Sequence, residues 1–458
     1  EFFLKHSHTA RRTILYPHTH PSNYTLPHIM FKTTTQMHGN ICVKNLDWDE
    51  PVQVTSFDVN ARDYGLGIKA HEFNDTPETL RKKVDVLAQL ITEAQHAVAY
   101  TGAGISTAAG IDDYATKAKQ ESVTAAGRPV VKDWKMARPT LTHRVLTAMH
   151  FSNLLPHWIQ QNHDSLPQKA GYPQEALNEI HGSLHDPANP IVPYEGTLRD
   201  DLFEWMQEEI ILADLCLALG TSMSGFNCDQ VPATIAERTN GLVIVNLQQT
   251  SYDDDAALRI YAKTDDVFRL LAARLGLKNV KSEDYVYSPE ISPDLKMEED
   301  VYLVPFDVDG NPLMNLTDKS KMQQWDLRIG ARVRLTGGPY AGDIGVVVSK
   351  NNTSGYRIRF ANSINPTFNI RRRTFSLWMG PWWIEMATRG KGIIPGGRLP
   401  FVNVVEDVNE VVEEKTADVD LTKYNKLRAV GLNVDTVRHK MMSDGLNDVV
   451  IEEYLGAW

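Results

Sequence analysis

The apolar positions of this chain form short uninterrupted runs, separated by stretches in which apolar residues recur at helical spacing. A buried strand of a parallel sheet gives such a run, whereas an amphipathic helix places an apolar residue every three or four positions. The predicted strands are 97–101, 157–159, 215–219 and 242–245, and the predicted helices include 142–150 and 198–213. This alternation predicts an α/β fold with a doubly wound, Rossmann-like parallel sheet.

The first helix has a clear predicted start. Thr76 suits a helix N-cap, and Pro77 suits the first helical turn. The apolar face that follows consists of Leu80, Val84, Leu87, Ile91 and Ala94. Residues 1–75 show no sustained period, so we expect an extended N-terminal arm, and a small folded unit would fit the same residues equally well.

Small and polar residues follow the predicted strands. In a doubly wound sheet, ligands bind beyond the carboxyl ends of the strands. Strand 97–101 leads into Gly102, Ala103 and Gly104, whose backbone N–H groups could approach a phosphate, although plain strand-to-helix packing uses such turns too. The residues after the other strands are Gln161, Asn162, His163, Asp164, Gly220, Thr221, Ser222 and Asn246. Their expected convergence predicts one nucleotide-binding crevice.

Six ordered blocks resemble the sirtuins, the family of NAD-dependent protein deacylases. The blocks are GAGIS at 102–106, GIDDY at 110–114, QNHD at 161–164, EIHG at 179–182, ALGTS at 218–222 and IVN at 244–246. The resemblance covers about residues 76–276 and implies a sirtuin-like NAD-binding domain over 76–279.

The resemblance also implies roles for the matching residues. Asn162 and Asp164 match residues that hold nicotinamide, and Gln161 belongs to the same block. His181 matches a histidine that acts as general base on a ribose hydroxyl, a task that suits imidazole because its ordinary pKa is close to neutral pH. The expected cofactor-binding residues are Gly102, Ala103, Gly104, Ile105, Asp113, Gly220, Thr221, Ser222 and Asn246.

Two of the chain's departures from the family pattern bear on zinc and on the binding of an anionic ligand. Family members usually carry four zinc-binding cysteines after the catalytic His-Gly, whereas here seven residues separate Gly182 from Pro190 and none is cysteine. We therefore expect no zinc and no metal ligand there. In the GIDDY block, Asp112 stands where the family has proline, and Ala115 stands where it has an arginine that meets the cofactor's phosphates. Both changes are expected to weaken binding of an anionic ligand.

Composition narrows the cellular setting. A chain of 458 residues is too long for a single domain of ordinary size, so we expect two or three domains. The net charge of −11 does not predict general attraction to nucleic acid or membrane. The three cysteines, Cys42, Cys216 and Cys228, form no disulfide framework, and no apolar stretch is long enough to span a membrane. We expect an intracellular, reducing compartment, with the cytoplasm or cytoskeleton favoured over the nucleus. The chain begins at Glu1, so a targeting peptide before it stays open.

The chain continues beyond the sirtuin-like region. Residues 280–324 are acidic and contain proline, which predicts a linker. The glycine and apolar pattern of 330–347 resembles a KOW motif, and it predicts a small SH3-like all-β barrel over 325–404 that binds protein or nucleic acid. Arg371–Arg373 with Trp378, Trp382 and Trp383 could form a contact surface, but the tryptophans could equally fill the barrel core. The negative net charge favours a protein partner over nucleic acid.

Residues 405–458 predict an acidic linker and a helical tail. The pattern over 423–445 resembles a short motif of a coiled-coil subunit of the WASH complex and of some formin-like proteins. It indicates a docking helix pair, with a plain terminal helix as the alternative.

Two functions fit these observations. In the first, the protein is a divergent, catalytically impaired sirtuin-like NAD-binding protein. It would act as a structural subunit of a larger, cytoskeletal assembly, held there by the arm, the barrel and the tail. In the alternative, it is an active NAD-dependent protein-lysine deacylase or ADP-ribosyltransferase that acts on an acylated peptide. The departures favour the first, and the retained Gln161, Asn162, Asp164 and His181 favour the second.

Overall fold

The structure is a computed structural model of the 458-residue chain. It describes residues 30–31, 37–42, 48–58, 68–113, 129, 136–192, 196–224, 227–314, 318–338, 340–351, 355–360, 376–391, 397–404, 421–429, 437, 441 and 454. Ala115, Arg371–Arg373 and most of the predicted tail motif lie outside these ranges.

Short strands precede the first helix. They are β1 (Met30–Phe31), β2 (Ile41–Cys42), β3 (Val52–Thr55) and β4 (Glu72–Asn74). β1 pairs antiparallel with β2, and β3 pairs antiparallel with β4. The Arg259 N–H donates to His38 O at 3.0 Å, and the Phe73 N–H donates to Leu247 O at 2.9 Å. The described parts of the predicted arm therefore pack on the chain's own later residues.

Residues 77–274 alternate helices and strands and are called the α/β unit below. The strands are β5 (Ala97–Thr101), β6 (His157–Gln160), β7 (Leu177–Glu179), β8 (Leu215–Leu219), β9 (Leu242–Val245) and β10 (Leu258–Ile260). The helices are α1 (Pro77–Glu93), α2 (Leu141–Phe151), α3 (Leu166–Lys169), α4 (Asp200–Leu212), α5 (Gln230–Thr239) and α6 (Thr264–Arg274). All four predicted strands and both predicted helices are present.

The six strands form one parallel sheet in the order β10-β9-β8-β5-β6-β7. β5 lies between β6 and β8, so the chain leaves the centre of the sheet in both directions. Helices α1, α2 and α6 contribute to the core on one face, and α4 and α5 to the core on the other. The predicted doubly wound α/β fold is confirmed.

The first helix begins as predicted. Thr76 is its N-cap, and the Thr76 side chain accepts a hydrogen bond from the Thr79 N–H at 3.3 Å. Val84, Leu87 and Ile91 of the predicted apolar face are buried.

The second unit, called the β unit, spans 296–403. Its strands are β11 (Lys296–Glu298), β12 (Val301–Val304), β13 (Gln323–Asp326), β14 (Arg332–Leu335), β15 (Ile344–Lys350), β16 (Tyr356–Phe360), β17 (Ser376–Met379) and β18 (Phe401–Asn403), with helix α7 (Pro381–Thr388) before the last strand. Five of them form an antiparallel sheet in the order β17-β16-β15-β14-β18, and β11, β12 and β13 form another. The predicted C-terminal all-β unit is therefore present.

The β unit begins earlier than expected. Val304 and Phe306, within the predicted linker 280–324, are fully buried in one core with Trp325 and Trp383. The short apolar run before Pro305 forms β12, which pairs along its length with β13. The acidic residues around it conceal this strand in the sequence. Trp382 and Trp383 also lie in this core, whereas Trp378 is only half-buried, so the core alternative holds for two of the three tryptophans.

The β unit packs on the segment 183–192 of the α/β unit, which follows the candidate base. The Trp378 N–H donates to Leu184 O at 3.3 Å, and the Gly380 N–H donates to His185 O at 3.1 Å. The His185 ring meets the Trp382 ring edge-on at a centroid distance of 5.2 Å. The two units are thus joined through this segment.

The described part of the tail includes helix α8 (Thr422–Ala429). Tyr424, Val437 and Met441 are buried against one another. Within the described ranges, every helix is too short or too polar to cross a bilayer.

Candidate active site

The candidate crevice lies at the carboxyl ends of three neighbouring strands. β5 pairs in parallel with both β6 and β8, so the residues after these strands share one edge of the sheet. We define the crevice by residues 102–106, 161–164, 181 and 220–222. The prediction that these polar residues converge is met most closely between the segments after β5 and β6.

Gly102 and Gly104 allow two turns to approach each other closely. A Cβ atom added to Gly104 would lie 2.7 Å from Gly220 Cα, and one added to Gly102 would lie 2.8 Å from Thr221 Cβ. Both distances are far below ordinary contact, and a neighbouring backbone cannot move away easily. The glycines are therefore required for packing, whatever they contribute to ligand binding.

The amide groups of this turn are mostly occupied by the protein. Within 102–105, all of which is described, every amide N–H except that of Ala103 donates to a main-chain carbonyl. The Gly104 N–H, for example, donates to Gly220 O at 2.8 Å. The Ala103 amide is consequently the one donor of this turn left for an anion.

Ser106 holds two predicted site residues together. Its side chain is buried, and its hydroxyl donates to Asp164 Oδ2 at 2.6 Å while accepting from Asn162 Nδ2 at 3.1 Å. Asn162 Nδ2 also donates to Gly102 O at 3.0 Å, and Asp164 Oδ1 accepts from the Leu166 N–H at 3.0 Å. Asn162 and Asp164 are thus oriented before any ligand binds, as a preorganised site requires.

Gln161 is fixed by a buried polar group beneath the crevice. Its amide nitrogen donates to the Tyr100 hydroxyl, and its amide oxygen accepts from Thr221 Oγ1 at 3.1 Å. The Tyr100 hydroxyl donates in turn to Asp229 Oδ1 at 2.6 Å. Burial, together with the negative charge of Asp229, raises the pKa of Tyr100 well above its usual value, so the phenol stays protonated and can donate.

The candidate base His181 contacts a thiol. His181 Nε2 lies 3.1 Å from Cys228 Sγ, which is also 3.1 Å from the Tyr100 hydroxyl. Burial, followed by the charge of Asp229, raises the pKa of Cys228 to about 12, so the sulfur carries a proton at neutral pH. In the His181 tautomer that has its proton on Nδ1, the thiol donates a weak hydrogen bond to the Nε2 lone pair.

Four residues of this site were not predicted from the sequence as functional: Tyr100, Ser106, Cys228 and Asp229. Cys228 is buried, and its sulfur joins His181 to Tyr100. Ser106 offered a signal because it ends the GAGIS block. Asp229 offered another, because a carboxylate next to a buried cysteine needs a partner. Its partner, Tyr100, lies 129 positions earlier in the chain.

Two predicted cofactor-binding residues hydrogen-bond to near neighbours in the chain. Ser222 Oγ accepts from Ser224 Oγ at 2.7 Å, and Asn246 Nδ2 donates to Gln248 O at 3.1 Å. Asp113 lies beyond the short helical turns that follow β5. The assignment of these three residues to cofactor binding stays a prediction.

The crevice residues fit NAD in part. The Ala103 amide can meet a phosphate, and Asn162 Oδ1 accepts no hydrogen bond from any described residue and so can meet a donor on a ligand. Asp112 brings negative charge to the end of the same turn, which opposes an anionic ligand.

Several curated proteins similar to this chain are named NAD-dependent protein deacetylases. The rat NAD-dependent protein deacetylase sirtuin-7 (Rattus norvegicus) is 35% identical over 263 residues, which cover 47% of this chain and 65% of that protein. This chain is therefore similar to a sirtuin over about half of its length. The rice SRT1 deacetylase (Oryza sativa subsp. indica) is 29% identical, covering 49% of this chain and 54% of that protein. The chain thus spans less than two thirds of the length of these two proteins, and no protein-family model matches it.

Solved Sir2 structures are also similar to part of this chain. One, bound to a propionylated peptide, is 24% identical with a TM-score of 0.37, covering 43% of this chain and all of that chain. Another, with a p53 peptide and NAD+, is 22% identical with a TM-score of 0.36, covering 42% and 98%.

Proposed function

We propose that the α/β unit is an NAD-dependent protein-lysine deacylase domain. The observation that supports this most directly is the Ser106 hydroxyl, which joins Asn162 and Asp164, the two side chains matched to nicotinamide binding. A purely structural loop would not require a buried serine to orient an amide and a carboxylate at the carboxyl edge of a parallel sheet. The relatives named above are called NAD-dependent protein deacetylases, which agrees with this proposal.

Bound NAD would supply an electrophilic ribose carbon, with nicotinamide as the leaving group and the acyl oxygen of the modified lysine as the nucleophile. Asn162 presents its amide oxygen to the ligand, while its nitrogen remains bound to Gly102 O and Ser106. Asp164 holds Ser106 in place and brings a negative charge beside the nicotinamide position.

His181 accepts a proton at Nε2 from a ribose hydroxyl. The Cys228 thiol keeps Nε2 oriented into the crevice before the substrate arrives, at the cost of a weak competing hydrogen bond. Gln161, fixed by Tyr100 and Thr221, closes the floor beneath this ring. In this proposal Tyr100, Cys228 and Asp229 are positioning residues, because each acts through His181 or Gln161.

A second candidate is a catalytically impaired NAD-binding subunit of a larger assembly. Asp112 beside the turn, and Ala115 where the sirtuin pattern has arginine, favour it because both weaken attraction for a pyrophosphate. The proposed partners are proteins held through the β unit and the tail, in a cytoplasmic or cytoskeletal assembly. The described arm residues pack on the α/β unit, so they offer less support for a docking role.

We further propose that the β unit is a KOW-like domain and that segment 183–192 has no zinc site. Gly338 and Gly342 have φ values of 75° and 90°, in the region that favours glycine, between β14 and β15. This is where the KOW pattern requires tight turns. The zinc proposal rests on the seven residues between Gly182 and Pro190, which lack cysteine, and on the packing of His185 against Trp382.

Calorimetry with NAD and a nicotinamide-release assay with an acetylated lysine peptide test the proposal on the full chain. We expect NAD binding and turnover, with turnover lost in His181→Ala and retained in the matched control His150→Ala. His150 lies at the other end of the sheet, where its Nδ1 contacts Leu155 O. NAD binding without turnover in the unmodified protein would refute the deacylase and leave the impaired subunit. No binding at millimolar NAD would refute both.

A further inference from the structure

A second cluster of chemically active side chains lies far from the crevice. His96 directly precedes β5, His157 is the first residue of β6, and Glu209 is in the last turn of α4. β5 and β6 are parallel, and Val98 pairs with His157. The cluster therefore lies at the amino edge of the sheet, whereas the candidate crevice lies at the carboxyl edge.

Both imidazoles point the same nitrogen at one carboxylate. His96 Nε2 lies 2.8 Å from Glu209 Oε2, and His157 Nε2 lies 3.1 Å from Glu209 Oε1. One ligand atom from each of the three residues lies within 4.8 Å of the others. The two rings are stacked, with a centroid distance of 5.6 Å and an interplanar angle of 24°.

We propose that His96, His157 and Glu209 bind a divalent zinc ion, with water in the remaining coordination position. Two imidazole nitrogens and one carboxylate form a ligand set that zinc accepts when one position stays open. Two ligand atoms about 2.1 Å from one metal at a tetrahedral angle are about 3.4 Å apart, close to the two nitrogen–oxygen distances found here. The three ligand atoms lie within 4.8 Å of one another, so side-chain movements would bring them to this spacing.

The surroundings hold the ligands in place and leave access for water. The Glu209 side chain is 5% exposed, while His96 and His157 are 23% and 24% exposed, so solvent reaches the rings and not the base of the carboxylate. The His96 and Gln95 amides donate to Asp214, and Trp205 meets the His157 ring edge-on. The ion would add positive charge beside a buried carboxylate that otherwise meets only two imidazoles in the described structure.

This site is distinct from the segment after His181, where zinc is not expected. Its ligands are the residue before β5, the first residue of β6 and a residue of α4. Bound zinc would tie α4 to β5 and β6 and stabilise the end of the sheet opposite the crevice. It takes no part in the deacylation proposed above, so the two proposals stand or fall separately.

The test is zinc titration of the full, chelator-treated chain by calorimetry, with Co²⁺ absorption as a spectroscopic probe of the ligand set. Glu209→Gln and His157→Gln should each lose one bound zinc ion per chain. Mutation of a residue that only hydrogen-bonds to a ligand would instead weaken zinc affinity by roughly 10- to 100-fold. His150→Gln is the matched control, since its ring lies near the same edge and does not contact Glu209. His18→Gln with His20→Gln controls for the five histidines of residues 1–29.

Unchanged zinc stoichiometry and affinity in both ligand variants would overturn the proposal, as would loss confined to the His18/His20 variant. The unmodified protein provides a check that does not depend on variant folding. Zinc should protect His96 and His157 from diethyl pyrocarbonate, as mapped by mass spectrometry, and should leave His150 unprotected. Equal modification of all three with and without zinc would also overturn the site.

Discussion

Gly104→Ala tests whether the glycine turn serves packing or phosphate binding. The added Cβ would lie 2.7 Å from Gly220 Cα, 2.9 Å from its carbonyl oxygen and 3.1 Å from its carbonyl carbon. All three are backbone atoms, so the turns after β5 and β8 must separate by about half an ångström or more. Phosphate binding alone would not produce this collision.

The expected magnitude follows from two opposing effects. Overpacking a well-filled site costs roughly 1–3 kcal/mol, and a rigid backbone neighbour favours the upper part of that range. Replacing glycine by alanine also restricts the unfolded chain, which stabilises the protein by about 0.4–1 kcal/mol. We therefore expect Gly104→Ala to lower the free energy of unfolding by about 2 kcal/mol without NAD.

Urea unfolding followed by far-ultraviolet circular dichroism measures this loss. Gly337→Ala is the matched control, because no atom lies within 4 Å of its added Cβ. It should change stability by less than about 0.5 kcal/mol. If the two variants are equally stable without NAD, and only NAD binding is weaker in Gly104→Ala, the packing argument is wrong and the glycine serves the phosphate.

Three further predictions concern buried charge and packing. Lys83→Met should lower the free energy of unfolding by about 3–5 kcal/mol, because the Lys83–Asp75 pair at 2.7 Å is fully buried. Lys82→Met removes a more exposed pair with Glu78 and should lower it by less than about 1 kcal/mol. Urea unfolding at pH 7 compares the two variants. Burial raises the pKa of Glu179 to about 7 from its ordinary 4.5, so the folded state binds more protons between these values and stability falls as pH rises through them. Glu179→Gln should remove about 3 kcal/mol of that fall, and an unchanged pH profile would contradict the assignment. Trp382→Ala should cost about 3–5 kcal/mol in thermal unfolding of the β unit, and a loss below about 1 kcal/mol would show that its contact with His185 and the core is dispensable.

The sheet of the α/β unit follows from local sequence patterns. Strands buried on both faces read as continuous apolar runs, so β5, β6, β8 and β9 are visible in the sequence. The three-residue strands β7 and β10 are too short to show a pattern, and neither was predicted. β12 is equally hidden, because acidic residues precede its four buried residues.

The candidate site was predictable only where a motif matched. Asn162, Asp164 and His181 were found by resemblance, because each belongs to an ordered block. Tyr100 and Asp229 could not be found this way, since their hydrogen bond joins positions 129 residues apart. Local sequence patterns do not predict contacts between residues that are distant in the chain. The cluster of His96, His157 and Glu209 could not be predicted for the same reason.

The hydrogen bonds from Trp378 and Gly380 to segment 183–192 make the β unit part of the support for the candidate site. A fragment ending near residue 279 would leave Leu184 O and His185 O without these donors and would uncover the ring of His185, a few residues from His181. Lack of activity in such a fragment would reflect the loss of these contacts and would not show that the full chain is inactive. Conversely, a binding partner that displaced the β unit would alter the backbone at Leu184 and His185, a few residues from His181. Activity at the candidate site could therefore be regulated through this contact.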